Sequence, residues 1–309
     1  MILLLLAAVP GLFWDKAVDT APALRDAGIH QILVPPARLD AWKNVPGIVA
    51  EAADPQGAVK LPPPAVNYRI NEATATRAPW LVANGWRFIR LPEGRYSYDT
   101  SGKQAALAAA EAFCYGANAM IRTDADGLKP LAGMLDFLRL IPGEDLPPVA
   151  DIGYIDDGSP VSGEVMNLLV RDNLLFRLVA SPDANLKVNV KLGTRDYPLQ
   201  DAKNPGVVAH EVRANLTDEK RSVRVYGSSV VVVRLTASGG HARLHLLNYA
   251  GANRKVEGIR VRVLGQYSRH QLSLADGAGV KLIDYSVLPD ATEFTLPELK
   301  TYAVVDLSQ

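Results

Sequence analysis

Apolar and polar positions change their period twice along the 309 residues. In the first part, strand-like apolar runs alternate with helical ones. Leu12-Phe13-Trp14-Asp15 precedes an amphipathic stretch with Ala21, Leu24 and Ala27 on one face and Gly28 as its stop. Gln31-Ile32-Leu33-Val34 then reads as a short strand broken by Pro35-Pro36, which is the spacing of a βαβ unit. Leu61-Pro62-Pro63-Pro64 is stiff, and Asn67 to Tyr98 shows no clean period. Regularity returns in Gly102 to Gly116, an alanine-rich helix whose small side chains allow close packing on a sheet. Ala119-Met120-Ile121-Arg122 follows as a strand and Leu128 to Ile141 as a helix, giving about four strands before Pro142.

The polar, proline-bearing stretch from Pro142 to Pro148 marks a boundary. Beyond it Val149 to Ile155 reads as a buried strand, Gly163 to Arg171 as a helix with Val165, Leu168 and Leu169 inward, and Leu175 to Val179 as the next strand. From about Ser222 the period becomes two. Ile259, Val261 and Val263 alternate with Arg260 and Arg262, and turns recur at Gly239-Gly240, Gly251, Gly265 and Gly277. This pattern predicts an antiparallel β-sandwich.

Composition narrows the function classes. Lys and Arg total 33 and Asp and Glu total 33, so no net field steers the chain to nucleic acid or anionic lipid. The single cysteine, Cys114, excludes an internal disulfide, and no Cys/His cluster offers zinc a tetrahedral site. No GxGxxG or P-loop is present, so no cofactor is expected. Residues 2–9 form an apolar run ending at Pro10-Gly11. Its length is that of a signal-peptide core, with residues 1–11 as the leader and a secreted or periplasmic destination; four leucines in a row equally suit the first buried strand of a cytoplasmic protein. No stretch reaches the 18 or so apolar residues of an integral membrane segment.

The end of the chain carries a more specific pattern: His245-Leu246-Leu247-Asn248-Tyr249, Val261-Arg262-Val263, Thr292-Glu293-Phe294-Thr295-Leu296-Pro297 and Tyr302-Ala303-Val304-Val305. With the α/β parts before it, this order resembles bacterial glycoside hydrolases of the family 42 β-galactosidase type. The resemblance implies a barrel-like α/β domain over 12–142, a flavodoxin- or amidotransferase-like α/β domain over 149–221 and a small β-sandwich over 222–309. It also implies carbohydrate as the partner. A complete (β/α)8 barrel needs about 200 residues or more, whereas Leu12 to Ile141 supplies 130. The expected fold class is therefore α/β plus all-β, with a shortened TIM-barrel-like or open first layer. The middle domain lacks a cysteine nucleophile and is not a glutaminase.

Glycoside hydrolysis needs two carboxyl groups, about 5 Å apart for retention or about 6.5–9.5 Å for inversion. Asn71-Glu72 resembles the Asn-Glu pair at the fourth strand of many barrel glycosidases, which makes Glu72 a candidate acid. Asp15 and Asp124 follow predicted strands, where ligands bind on parallel sheets, and are its candidate partners. Asp126, Glu93 and Asp99 are further possibilities, and Asp124 and Asp126 equally suit helix capping. Trp14, Tyr68, Trp80 and Trp86 supply rings on which sugar C–H faces stack, and Arg77 and Arg87 supply donors; the same aromatics equally suit a core poor in phenylalanine. Asp156-Asp157-Gly158-Ser159 suits a turn and helix cap. His241 and His245, about 13 Å apart on a strand, cannot share a metal ion and are expected on a solvent face.

Overall fold

The computed structural model describes residues 9–68, 79–143, 146–251, 254–277 and 279–309. The leader run up to Ala8 and the Asn71-Glu72 pair lie outside them, as does Arg77. The chain first runs through β1 (Gly11–Leu12), α1 (Ala21–Asp26), β2 (Gln31–Val34), α2 (Leu39–Trp42), β3 (Val49–Ala52), β4 (Val59–Leu61), β5 (Ala65–Asn67) and β6 (Trp80–Val82). Then come α3 (Gly85–Arg90), β7 (Arg95–Asp99), α4 (Gln104–Cys114), β8 (Asn118–Arg122) and α5 (Ala125–Leu140). Contacts gather the chain into two compact units, Met1–Ala65 with Leu91–Asp145 and Val66–Arg90 with Leu146–Gln309.

Among the described residues of the first unit every strand pairing is parallel. The order β1-β8-β7-β4 is continued by β2 and β3, because Phe13 bridges Leu33 and the Trp14 N–H donates to the Leu33 carbonyl at 2.7 Å. First strand therefore lies beside last, the cyclic order of a barrel, but no ladder joins β3 to β4 among the described residues. Among the described residues no closed barrel is formed. Along β7 the side chains alternate: Tyr96 and Tyr98 are buried toward the helices, with the Tyr98 hydroxyl donating to the buried Glu111 of α4 at 2.7 Å. Leu12 and Ile121 share that face, and the alanines of α4 are small enough to let the helix sit close against β8. By the period of two, Phe13, Asp15, Ser97, Asp99, Met120 and Arg122 take the opposite face.

In the second unit, β9 (Ile152–Ile155), α6 (Pro160–Arg171), β10 (Phe176–Leu178) and β11 (Val188–Lys191) form a three-stranded parallel sheet of order β10-β9-β11. After α7 (Leu199–Ala202) comes α8 (Pro205–Leu216), which packs on α6, and α3 packs on α6 as well. The rest is antiparallel: β12 (Val223–Tyr226), β13 (Val231–Ser238), β14 (His241–Asn248), β15 (Val256–Leu264), β16 (Arg269–Leu274), β17 (Ile283–Val287), β18 (Ala291–Leu299) and β19 (Tyr302–Ser308). They form two four-stranded sheets, β12-β15-β18-β17 and β13-β14-β19-β16, which share one core of Ile259, Val261, Val263, Leu244, Leu246, Phe294 and Val305.

The terminal pattern read in the sequence has a physical basis here. Asn248 donates to the carbonyls of Arg254, Leu299 and Lys300 and accepts from the Ala250 N–H, so one amide staples two neighbouring turns. His245 departs from its expected solvent face. From Ala242 to Asn248 every residue of β14 is buried, because both faces of this strand are covered. Among the described residues no helix is long and apolar enough to cross a membrane.

Candidate functional site

The C-terminal ends of parallel strands are where an α/β array presents ligand groups. In the first unit three adjacent ends carry charge. Asp15 follows β1, Arg122 ends β8 and Asp99 ends β7; the register places Asp99 opposite Arg122. One terminal nitrogen of Arg122 lies 3.2 Å from Asp15 and the other 3.3 Å from Asp99, whose second oxygen lies 2.6 Å from the ammonium of Lys60 on β4. The result is an alternating row, Asp15, Arg122, Asp99, Lys60, across four neighbouring strands. Arg122 is also steadied over the Phe13 ring at 5.2 Å.

Below this row lies a cleft of about 230 Å³, floored by Phe13 and Met120 and walled by Ser97, Pro55 and Ala58. Pro55 and Ala58 belong to the short link between β3 and β4, which Arg95 anchors by donating to the Asp54 carbonyl. The size falls below the roughly 300–1,000 Å³ of sites for drug-sized ligands, and so suits one small ring. An apolar floor with a rim of donors and acceptors matches a sugar ring, which has C–H faces and a hydroxyl edge. The rim charges are well exposed, the Lys60 side chain at 73% and Asp99 at 44%. Exposed pairs of this kind are worth about 0–1 kcal/mol each, so these groups can exchange one polar partner for another at small cost.

The sequence-derived candidates separate. Asp15 joins the row. Asp124 does not: it is the N-cap of α5, accepting from the N–H groups of Gly127 and Gly102 at 2.9 Å each. Trp14 is 2% exposed, with its indole N–H on the Thr20 hydroxyl at 2.9 Å and the Lys16 ammonium 4.5 Å from its ring centre. Tyr68 is 49% exposed. Trp80, Trp86 and Arg87 belong to the second unit. There the Arg171 guanidinium lies 3.9 Å over the Trp80 ring and that of Arg87 4.3 Å over Trp86, whose edge packs against Gly163 of α6. Glu72 and Arg77 fall outside the described residues. Lys60 and Arg122 were not singled out from sequence as site residues, and Asp99 only as a secondary partner. The period of two in Arg95-Tyr96-Ser97-Tyr98-Asp99 was the signal available.

At the Asp156-Asp157 turn, the chemistry is consumed locally. Arg90 forks onto both oxygens of Asp156 at 2.8 and 2.9 Å. Asp157 accepts from the Ser162 hydroxyl at 2.6 Å and the Ser159 N–H at 2.9 Å; the Ser162 hydroxyl above all, then Ser159, holds its carboxyl down at about 2. Ser159 caps α6 in turn.

No family model matches the sequence, and no curated protein does. Solved structures are similar at low identity. The α-L-fucosidase isoenzyme 2 from Paenibacillus thiaminolyticus matches with a TM-score of 0.56 at 9% identity, over 87% of this chain and 70% of that one. The β-galactosidase Gan42B of family GH42 from G. stearothermophilus matches with a TM-score of 0.37 at 7% identity, over 88% of this chain and 65% of that one, a likeness too slight to bear on architecture. At 9% identity the match to the fucosidase shows a shared fold alone. A family 42 architecture is not established by these matches.

Proposed function

We propose that this chain is an exported carbohydrate-binding protein that holds a sugar ring at the open mouth of its first unit and does not hydrolyse it. The observation that carries this reading is the row Asp15, Arg122, Asp99, Lys60 over an apolar floor. Carboxylate oxygens accept from sugar hydroxyls, the guanidinium and ammonium donate to them, and Phe13 with Met120 takes the C–H face. Binding without turnover is supported by the partners of these acids: Asp15 and Asp99 are paired with cations, and Asp124 accepts from two backbone N–H groups as a helix cap. Export rests on the apolar run of residues 2–9. The glycoside-hydrolase-like fold agrees with a carbohydrate ligand.

The second reading is an active glycoside hydrolase. It is favoured by one observation, the presence of two carboxylates, Asp15 and Asp99, on the same strand-end rim. A glycan array run beside chromogenic glycosides separates the two. Retention of a saccharide with no release of chromophore is the expected result; steady release from any glycoside would establish hydrolysis instead, and absence of both would remove carbohydrate altogether. Export is tested separately by N-terminal sequencing of protein recovered from outside the cytoplasm.

A further inference from the structure

We propose that Arg224, on β12 of the second unit, receives the carboxylate of an acidic sugar, at a site that shares no residue with the strand-end rim of the first unit. Three guanidiniums converge here on one carboxylate. One oxygen of Asp218 accepts from Arg221 at 3.2 Å and the other from Arg213 of α8 at 3.3 Å, while the nearest nitrogen of Arg224 stays 3.7 Å from that second oxygen. Such a separation is too long for a hydrogen bond, and the Arg224 side chain donates none to the described residues. Its guanidinium is nevertheless held in place, 4.9 Å over the exposed ring of Tyr226 on the same strand. Thr217, with φ at 57°, takes a backbone conformation costly for a β-branched residue and presents Asp218 to the arginines.

The surroundings leave this cation unspent. Strand pairing sets Arg224 directly opposite Arg262 of β15, and like charges so placed destabilise a sheet. Arg262 turns to Asp290 at 2.6 Å and to Glu293; Glu293 also holds Arg260, which lies opposite Tyr226 and near Asp284. Arg221 is buried, and one of its terminal nitrogens donates to the carbonyls of Asp172 and Asn173 at 3.0 Å each. The Asp172 carboxyl lies within electrostatic reach of Arg213 and Arg221, as well as of Arg171, which stacks on Trp80. Leaving Arg171 to that ring, three guanidiniums meet two carboxylates, and one positive charge remains. A monoanion balances it, whereas a dianionic phosphate overshoots. The planar fork of a guanidinium matches a carboxylate through two parallel N–H donors, and half-exposed Arg213 adds donors from the helix side. Asp218 can only accept, so its complement is a hydroxyl on the same ligand. A carboxylate with neighbouring hydroxyls is the chemistry of a uronic acid.

The test is a titration of the full, isotopically labelled chain with glucuronate, galacturonate, glucose and inorganic phosphate, following backbone amide shifts and taking affinities from them. At least one uronate is expected to shift Arg213, Asp218, Arg224 and Tyr226, and glucose to leave them in place. Arg224→Gln weakens that uronate about tenfold, the equivalent of one charge-assisted hydrogen bond. Arg224→Lys keeps the charge, loses the fork and weakens it as well. Because either the loss of charge in Arg224→Gln relieves the pair with Arg262 or leaves it neutral, its urea midpoint stays at or above that of the wild type, so the lost affinity does not report unfolding. Asp99→Asn leaves uronate binding at these residues unchanged, which separates this site from the rim of the first unit. Four results each overturn the inference and leave the first-unit reading standing: unchanged affinity in Arg224→Gln, uronate shifts that fall elsewhere, no uronate binding, or phosphate held more tightly than either uronate at these residues.

Discussion

The carboxylate of Asp124 accepts from the backbone N–H of Gly102, which opens the turn into α4, and from that of Gly127 in the first turn of α5, at 2.9 Å each. One side chain thereby ties two helix starts together at the strand-end rim. Asp124→Ala removes a helix cap and leaves the Gly102 donor without its partner. The expected loss is about 1–3 kcal/mol in urea unfolding, with saccharide affinity unchanged. Loss of affinity at unchanged stability would instead assign Asp124 to the ligand.

Gly127 is confined by the same junction. A Cβ at this position would meet the Thr123 hydroxyl oxygen at 1.9 Å and the Gly102 carbonyl at 3.0 Å. Since one obstacle is backbone, Gly127→Ala is expected to cost at least the 1–3 kcal/mol or so of an overpacked core, measured by the same unfolding curve. A neutral outcome would mean that the rim tolerates displacement of α5 and is less rigid than a preformed binding site requires.

His245 is expected to contribute to the response to acid. Its Nδ1 lies 2.6 Å from the Tyr302 hydroxyl, and burial, reinforced by Arg234 and then Arg243, pushes the imidazole down to about 3 from 6.5. The unfolded chain takes up a proton near 6.5, whereas the folded one does not until about 3, so falling pH favours unfolding throughout that window. Stability should fall by about 1.4 kcal/mol for each pH unit contributed by this group. Unfolding midpoints measured across the window should lose much of their slope in His245→Gln. An unchanged slope would assign the acid sensitivity to other groups.

The Trp86 ring provides a test of the second unit. A Cβ on Gly163 would approach the indole and the Arg90 guanidinium at 3.0 Å each. Gly163→Ala should cost about 1–3 kcal/mol and shift the tryptophan emission, because Trp86 must leave its seat on α6. Unaltered emission and stability would show that this packing is loose.

Much of the fold was legible because its cause is local. Gln31 to Val34 was read as a strand and is one, and the alanine-rich helix and the period of two in Ile259, Val261 and Val263 appear as expected, since apolar spacing directly reports a buried face. β7 was not legible in the same way. Only Tyr96 and Tyr98 face the core, while Arg95, Ser97 and Asp99 face away from it, so a strand that lines a cleft looked like irregular polar chain. For the same reason Asp99 ranked behind Glu72 and Asp124 as a site residue. Nor does anything in the sequence signal that Val66–Arg90 leaves the first unit for the second, which depends on contacts far apart along the chain. The burial of His245 escaped because alternation predicts one wet face, and β14 has none.

The most direct measurement is a titration of isotopically labelled protein with the saccharide retained on the array, following backbone amide shifts. The account predicts that the largest shifts fall on Phe13, Lys60, Ser97, Asp99, Met120 and Arg122, and that Asp99→Asn weakens binding about tenfold, the equivalent of one charge-assisted hydrogen bond. Shifts confined to the surroundings of Trp80 and Trp86, with Asp99→Asn binding as well as the wild type, would contradict it.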